Sequence, residues 1–90
     1  MSNWEKEYRV KFHIDFLHYD GRSESIKNEL IIESKTAELS EKIIVDKFNQ
    51  SYKLLTDIPV GWLGNIYSKN LVIDDIKLVW EYNAVNIKKI

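Results

Sequence analysis

The chain has no cysteine, one proline and three glycines among its 90 residues, and its formal net charge is −1. Without cysteine it has no disulfide scaffold, no thiolate-based zinc or iron–sulfur site and no cysteine nucleophile. The glycines do not stand at the spacings of a phosphate-binding loop or of a nucleophile elbow. A charge so close to zero also argues against strong binding to a phosphate backbone.

Long apolar segments are missing as well. The longest uninterrupted aliphatic runs, such as those at residues 30–32 and 43–45, hold three residues each, whereas a membrane-spanning helix needs ~20. The first residues of the chain are too polar for a secretion signal. We therefore expect residues 1–90 to form a single soluble domain in the cytoplasm.

What the chain does contain is typical of a folded protein. Hydrophobic residues make up 44% and charged residues 30%, which argues against a disordered polar chain. Ile, Lys and Asn account for 30 of the 90 residues, whereas Ala occurs twice. Because AT-rich codons favour this bias, we expect the source to be a low-GC bacterium or one of its phages or plasmids.

Two segments alternate between apolar and polar residues and predict a β-hairpin. The first strand spans residues 8–19, and Asp20-Gly21 supplies a turn whose residues tolerate positive φ. The return strand spans residues 23–33, where Asn28 occupies a position expected to be apolar and therefore indicates a bulge or a sheet edge. The apolar side of the first strand consists of Tyr8, Val10, Phe12, Ile14 and Phe16.

After the hairpin the periodicity changes to 3.6 residues and predicts one helix. Thr36 or Ser34 is the expected N-cap, and Glu38 lies in the first turn. The helix is expected to end within residues 52–55. The apolar arc expected to pack on the sheet consists of Ala37, Ile44, Val45, Phe48, Tyr52 and Leu55.

The rest of the chain completes a β-β-α-β order. Residues 56–70 hold the only proline and two of the three glycines, as is typical of a loop, and alternation returns in a last strand at residues 71–82. The tail, residues 83–90, either frays or extends that strand. This order predicts an α+β fold, a small two-layer sandwich with a three-stranded antiparallel sheet packed on one helix. In order and composition it is similar to small phage and plasmid proteins of low-GC bacteria.

The chain offers few groups for catalysis or metal binding. His13 and Asp15 share one strand face and form either an oriented base or a solvated surface pair, and the surface pair is the favoured interpretation. His13 and His18 are five residues apart and point to opposite faces, and the adjacent Asp74 and Asp75 diverge for the same reason. We therefore predict no enzyme activity, no catalytic residue, no metal site and no cofactor.

The segment of residues 58–67 is unusually apolar for a loop. It either folds back to complete the core of a small domain or presents aromatic and aliphatic anchors to a partner. A second apolar patch is expected on the helix side opposite the core arc. The predicted partner-binding residues are Trp62, Leu63, Ile66 and Tyr67 in the loop and Leu39 and Ile43 on the helix.

These features favour a non-enzymatic protein-interaction module. It would act sterically, as an inhibitor or accessory protein of a phage or other mobile element, by docking the apolar loop or a free sheet edge on a larger protein. The partner is a host protein or a second copy of the chain, since a homodimer is compatible with the pattern. The alternative is a small nucleic-acid-associated domain, because a helix packed on an antiparallel sheet is common among such modules.

Overall fold

A computed structural model of the chain describes residues 6–81. It contains strand β1 (Lys6–His18), strand β2 (Ser23–Ser34), helix α1 (Ala37–Gln50) and strand β3 (Ile66–Glu81). The strands form one antiparallel sheet in the order β2-β1-β3, and α1 packs on one face of it. The predicted α+β fold and its β-β-α-β order are thereby confirmed. Tyr82 and the tail lie outside the described residues.

The central strand, β1, separates two different faces of the sheet. Its even-numbered residues from Tyr8 to His18 are buried beneath α1 and the segment that follows it, and we call this side the helix face. Its odd-numbered residues, which include His13 and Asp15, lie on the opposite side, which we call the open face. The buried hydrophobic core consists of Tyr8, Val10, Phe12, Ile14, Phe16, Ile32, Ile44 and Leu55.

Three register shifts interrupt the pairing of β3 with β1. At each shift β3 contains one extra residue, namely Tyr67, Asp74 and Val79. Each extra residue reverses which parity of β3 faces inward, so no single period-two pattern describes the whole strand. β3 begins at Ile66. The alternation predicted a start at residue 71 because the register shift at Tyr67 interrupts the pattern at the beginning of the strand.

The helix α1 begins where the sequence predicts. Thr36 is the N-cap, and its Oγ1 accepts a hydrogen bond of 3.1 Å from the N–H of Leu39. The end of β2 supports the same turn, because the hydroxyl of Ser34 donates to the carbonyl of Thr36 at 2.9 Å. That hydroxyl also lies 2.6 Å from the buried hydroxyl of Ser40. Both of the residues predicted as caps therefore contribute, in different ways.

The end of α1 differs from the prediction. The helix stops at Gln50, before residues 52–55, because Ser51 adopts an extended conformation. The side chain of Ser51 then accepts a hydrogen bond from the N–H of Lys53 and starts a short 3-10 helix, Tyr52–Leu54. The apolar residues at the predicted helix end thus lie in a separate turn. No helix in the described part of the chain is long and apolar enough to cross a membrane.

Asn28 is the polar residue at an expected apolar position of β2. Its polarity reflects the position of β2 at the edge of the sheet and not a β-bulge. The pairing of β1 with β2 runs without a register shift, and β2 is an edge strand. The side-chain amide of Asn28 donates a hydrogen bond of 2.7 Å to the carbonyl of Leu55, just after α1 and its 3-10 turn. The polar side chain therefore fixes the segment that crosses from the helix to β3, where the backbone has no regular partner.

Candidate functional site

The apolar segment predicted as a loop covers the hairpin end of the helix face. It contains a second 3-10 helix, Val60–Trp62, and the indole of Trp62 packs edge-to-face against two buried rings. The ring centroids of Trp62 and Phe16 are 5.4 Å apart, and those of Trp62 and His18 are 5.0 Å apart. Ile58 and Ile66 are also half-buried against the core. These contacts are those of residues that complete the core.

Other side chains of the same segment face solvent. Val60 is 81% exposed, Leu63 is 53% exposed and Tyr67 is 63% exposed. The Tyr67 ring stands edge-to-face against Tyr19, which is 68% exposed, with centroids 5.3 Å apart. The two interpretations left open by the sequence thus both apply, but to different residues: Trp62 and Ile66 pack inward, whereas Leu63 and Tyr67 remain available to a partner.

The backbone of the segment is fastened to the hairpin by polar contacts. The N–H of Tyr19 in the hairpin donates to the carbonyl of Asn65 at 2.8 Å, and within the segment the N–H of Asn65 donates to the carbonyl of Trp62 at 3.0 Å. Gly64 has φ of 80°, a left-handed conformation that L side chains rarely adopt, which allows the chain to turn into β3. The exposed side chains are therefore attached to a backbone segment that several hydrogen bonds hold in place.

His18 lies directly beneath this segment, against Trp62. It is 1% exposed, its Nδ1 is 3.4 Å from the side-chain amide of Asn65, and its Nε2 has no hydrogen-bond partner within the described residues. As expected from the odd spacing, His18 and His13 lie on opposite faces, because His13 bonds to groups of the open face. His18 is thus a buried ring that supports Trp62.

The hairpin turn beside the segment carries one paired carboxylate. The backbone N–H of Arg22 lies 3.1 Å from Oδ1 of Asp20, and its guanidinium Nε lies 3.0 Å from Oδ2. The backbone hydrogen bond from Arg22, together with its positive charge, lowers the pKa of Asp20 below the usual aspartate range. The two side chains compensate each other, so the turn adds little net charge to this end of the molecule.

The second predicted patch lies toward the other end of the sheet. Leu39 is exposed, whereas Ile43 is half-buried against the core and so does not lie fully on the opposite side of the helix as predicted. Both line a shallow groove between α1 and the end of β2, beside Glu33 and Lys42. The structure therefore does not join them to Leu63 and Tyr67 in one surface.

A polar network on the open face includes the predicted His13–Asp15 pair. The Nδ1 of His13 is 2.9 Å from Asp74, and its Nε2 is 3.7 Å from Asp15. Asp74 and Asp75 do not diverge as predicted, because the register shift at Asp74 leaves it on His13 while Asp75 pairs with Lys11. In the sequence, the signal for this register shift was the pair of adjacent aspartates, Asp74 and Asp75, inside an otherwise alternating strand. Among residues 6–81 no group of three or more His, Asp or Glu is arranged to hold a metal ion.

Comparisons with known proteins were made for the whole chain. No family model matches it, and neither a curated protein nor a solved structure matches it. The strongest candidate is the set of exposed apolar side chains at the hairpin end, which we call the hairpin-end surface: Tyr19, Val60, Leu63 and Tyr67.

Proposed function

We propose that the chain is a non-enzymatic protein-binding module that docks its hairpin-end surface on an apolar patch of a larger protein. The observation that carries the proposal is the exposed pair of Tyr19 and Tyr67, whose rings are held edge-to-face at 5.3 Å. Tyrosine provides a large contact area with few rotatable bonds, and aromatic anchors dominate the energetics of many interfaces. Two such rings that already pack against each other lose little freedom on binding.

The support beneath these rings strengthens the proposal. Trp62 packs on Phe16 and His18, and the carbonyl of Asn65 is bonded to the N–H of Tyr19. A surface that is already ordered in the free protein binds with a smaller entropic cost than a mobile loop. The module would act sterically, by covering a site on its partner.

The proposed contact is mainly apolar, because its side chains are aliphatic or aromatic and the charge of Arg22 in the adjacent turn is paired with Asp20 and Glu24. Binding should therefore depend only weakly on salt, in contrast to binding of a nucleic acid. On the basis of composition we place this activity in the cytoplasm of a low-GC bacterium, with the chain acting as an inhibitor or accessory protein of a mobile element.

The test is affinity capture from a nuclease-treated lysate of a low-GC bacterium, followed by calorimetry with the purified partner. We compare the wild type with the double variant Leu63→Ala/Tyr67→Ala, whose side chains are exposed and whose fold should be preserved. Loss of these anchors should raise the Kd about thirty-fold or more, equivalent to about 2 kcal/mol. The matched control is Leu54→Ala, which removes an exposed leucine outside the hairpin-end surface.

One directly bound protein that is retained by the wild type and the control, and lost by the double variant, would support the proposal. Equal binding by the double variant would contradict it. Capture that requires intact nucleic acid and weakens steeply with salt would instead favour the nucleic-acid-associated alternative.

A further inference from the structure

The two edges of the sheet differ in their suitability for pairing with another strand. β3 is interrupted by three register shifts, and bulges of this kind disfavour further pairing. β2 pairs with β1 over 12 residues without a shift, and within residues 6–81 its other side is a regular edge without a neighbouring strand. An edge strand of this length presents a row of backbone N–H and C=O groups that can pair with a further strand.

The positions of these outward groups follow from the ladder. In an antiparallel pair, alternate residues of a strand bond to the same neighbour. The N–H of His18 donates to the carbonyl of Arg22 at 2.8 Å, so the even-numbered residues of β2, which continue this pairing, bond to β1. The N–H of Glu29 is instead taken by the side chain of Asn28, in agreement with an outward orientation. The odd-numbered residues of β2 therefore point their backbone groups away from β1.

The same residues carry a charge pattern across the open face. Lys11 on β1 lies between Asp75 on β3 and Glu29 on β2, so this row alternates in sign and ends negatively at the edge. The neighbouring row ends positively, because Lys27 stands opposite His13. The edge of β2 thus presents a positive and a negative side chain two residues apart, an arrangement that an antiparallel copy of itself would complement.

We propose that β2 pairs in antiparallel orientation with β2 of a second copy of this chain, with Asn28 on the two-fold axis. Lys27 then faces Glu29 of the second copy, and the symmetry forms this pair twice. On the helix face, Ile26 faces Leu30 of the second copy, also twice. Oppositely charged and apolar pairs directly across two strands are stabilising.

The outward-pointing backbone N–H and C=O groups of β2 determine which residues of the two copies can pair. Since they belong to odd-numbered residues in both copies, odd residues must pair with odd residues. Both copies of α1 therefore lie on the same face of a continuous six-stranded sheet. Pairing replaces the bond between Asn28 and the N–H of Glu29 by one to the carbonyl of Lys27 in the second copy. The amide of Asn28 keeps its bond to Leu55.

Charge also selects the register. An axis at Lys27 or Glu29 would place two identical charges opposite each other, which is destabilising. An axis at Leu30 would pair Lys27 with Glu33 but would place Glu29 opposite Ile31. The axis at Asn28 is the arrangement that satisfies both Lys27 and Glu29.

The test is a charge exchange followed by sedimentation velocity over a concentration series at low salt. The wild type should show a concentration-dependent monomer–dimer equilibrium. Lys27→Glu and Glu29→Lys should each raise the dimer dissociation constant at least about tenfold, because each places like charges opposite each other twice. The double exchange Lys27→Glu/Glu29→Lys restores opposite signs and should return the constant to within about threefold of the wild type.

Matched controls separate this effect from a change in net charge. Lys53→Glu and Glu41→Lys alter the net charge by the same amounts at exposed positions outside β2, and they should dimerise like the wild type. A monomeric wild type throughout the series would overturn the proposal. So would a double exchange that remains as weak as the single variants, or a Lys27→Glu variant rescued by Glu33→Lys instead.

Hydrogen exchange of the wild type provides a second measurement that needs no variant. The amides of Lys27 and Ile31 point outward and should exchange more slowly as the concentration rises. Their even-numbered neighbours are already bonded to β1 and should change little. A dimer that protects β3 or the hairpin-end surface, and leaves these amides unchanged, would contradict the proposed interface. The hairpin-end surface takes no part in it, so either proposal can fail alone.

Discussion

The helix face of the sheet is covered in two different ways. α1 lies over its central part, satisfies its own backbone hydrogen bonds except at its capped ends and inserts the fully buried Ile44. The hairpin end is covered by an irregular segment whose carbonyls need outside partners, which Asn28 and the N–H of Tyr19 provide. The helix leaves one large apolar side chain, Leu39, in solvent, whereas the irregular segment leaves Val60, Leu63 and Tyr67 exposed. This difference explains why the candidate binding surface lies at the hairpin end.

The largest loss of stability is expected where α1 packs on the hydrophobic core. Ile44→Ala should lower the free energy of unfolding by about 2 to 5 kcal/mol, because it leaves a cavity between α1 and the sheet. Urea denaturation of the wild type and the variant measures the loss. Leu39→Ala on the exposed side of the same helix is the control and should cost about 1 kcal/mol or less. Equal losses in the two variants would mean that α1 does not cover the sheet as described.

A smaller loss of stability is expected where the irregular segment of residues 58–67 packs on the core. Trp62→Ala should lower the free energy of unfolding by about 2 kcal/mol, less than for a fully buried aromatic residue because Trp62 is only partly buried. Leu63→Ala, one residue further on, should change it by about 0.5 kcal/mol or less. A Trp62→Ala variant of unchanged stability that no longer binds a partner would show that Trp62 is a binding anchor and not part of the core.

The regular parts of the fold could be predicted because their signals are local and repeated. Alternation along β1 identifies its buried side, and a threonine before a 3.6-residue period identifies the start of α1. Asp20-Gly21 likewise marks the hairpin turn. Each of these signals depends on residues that are close together in the sequence, so no knowledge of the tertiary structure is needed.

The irregular parts depend on distant contacts and could not be predicted in the same way. Trp62 faces inward because Phe16 and His18 form its site, more than forty residues earlier in the chain. Its neighbour Leu63 faces outward although both residues are apolar. The start of β3 at Ile66 depends similarly on pairing with β1, across a register shift that interrupts the alternation. Composition therefore identified the segment but could not assign its residues to core or surface.

The smallest expected effect concerns the charge at the hairpin end. The N–H of Arg22, with its guanidinium, lowers the pKa of Asp20 in the folded chain. The ionised carboxylate therefore stabilises the turn at pH values above its pKa in the unfolded chain, and this contribution is lost as the pH falls through the lower pKa of the folded chain. In an acid titration followed by NMR, the amide of Arg22 should shift with a midpoint below the usual aspartate value, whereas that of Ser40 in α1 should not follow it. Asp20→Asn keeps an oxygen acceptor but does not titrate, so an Arg22 amide that still shifts in this variant would contradict the assignment.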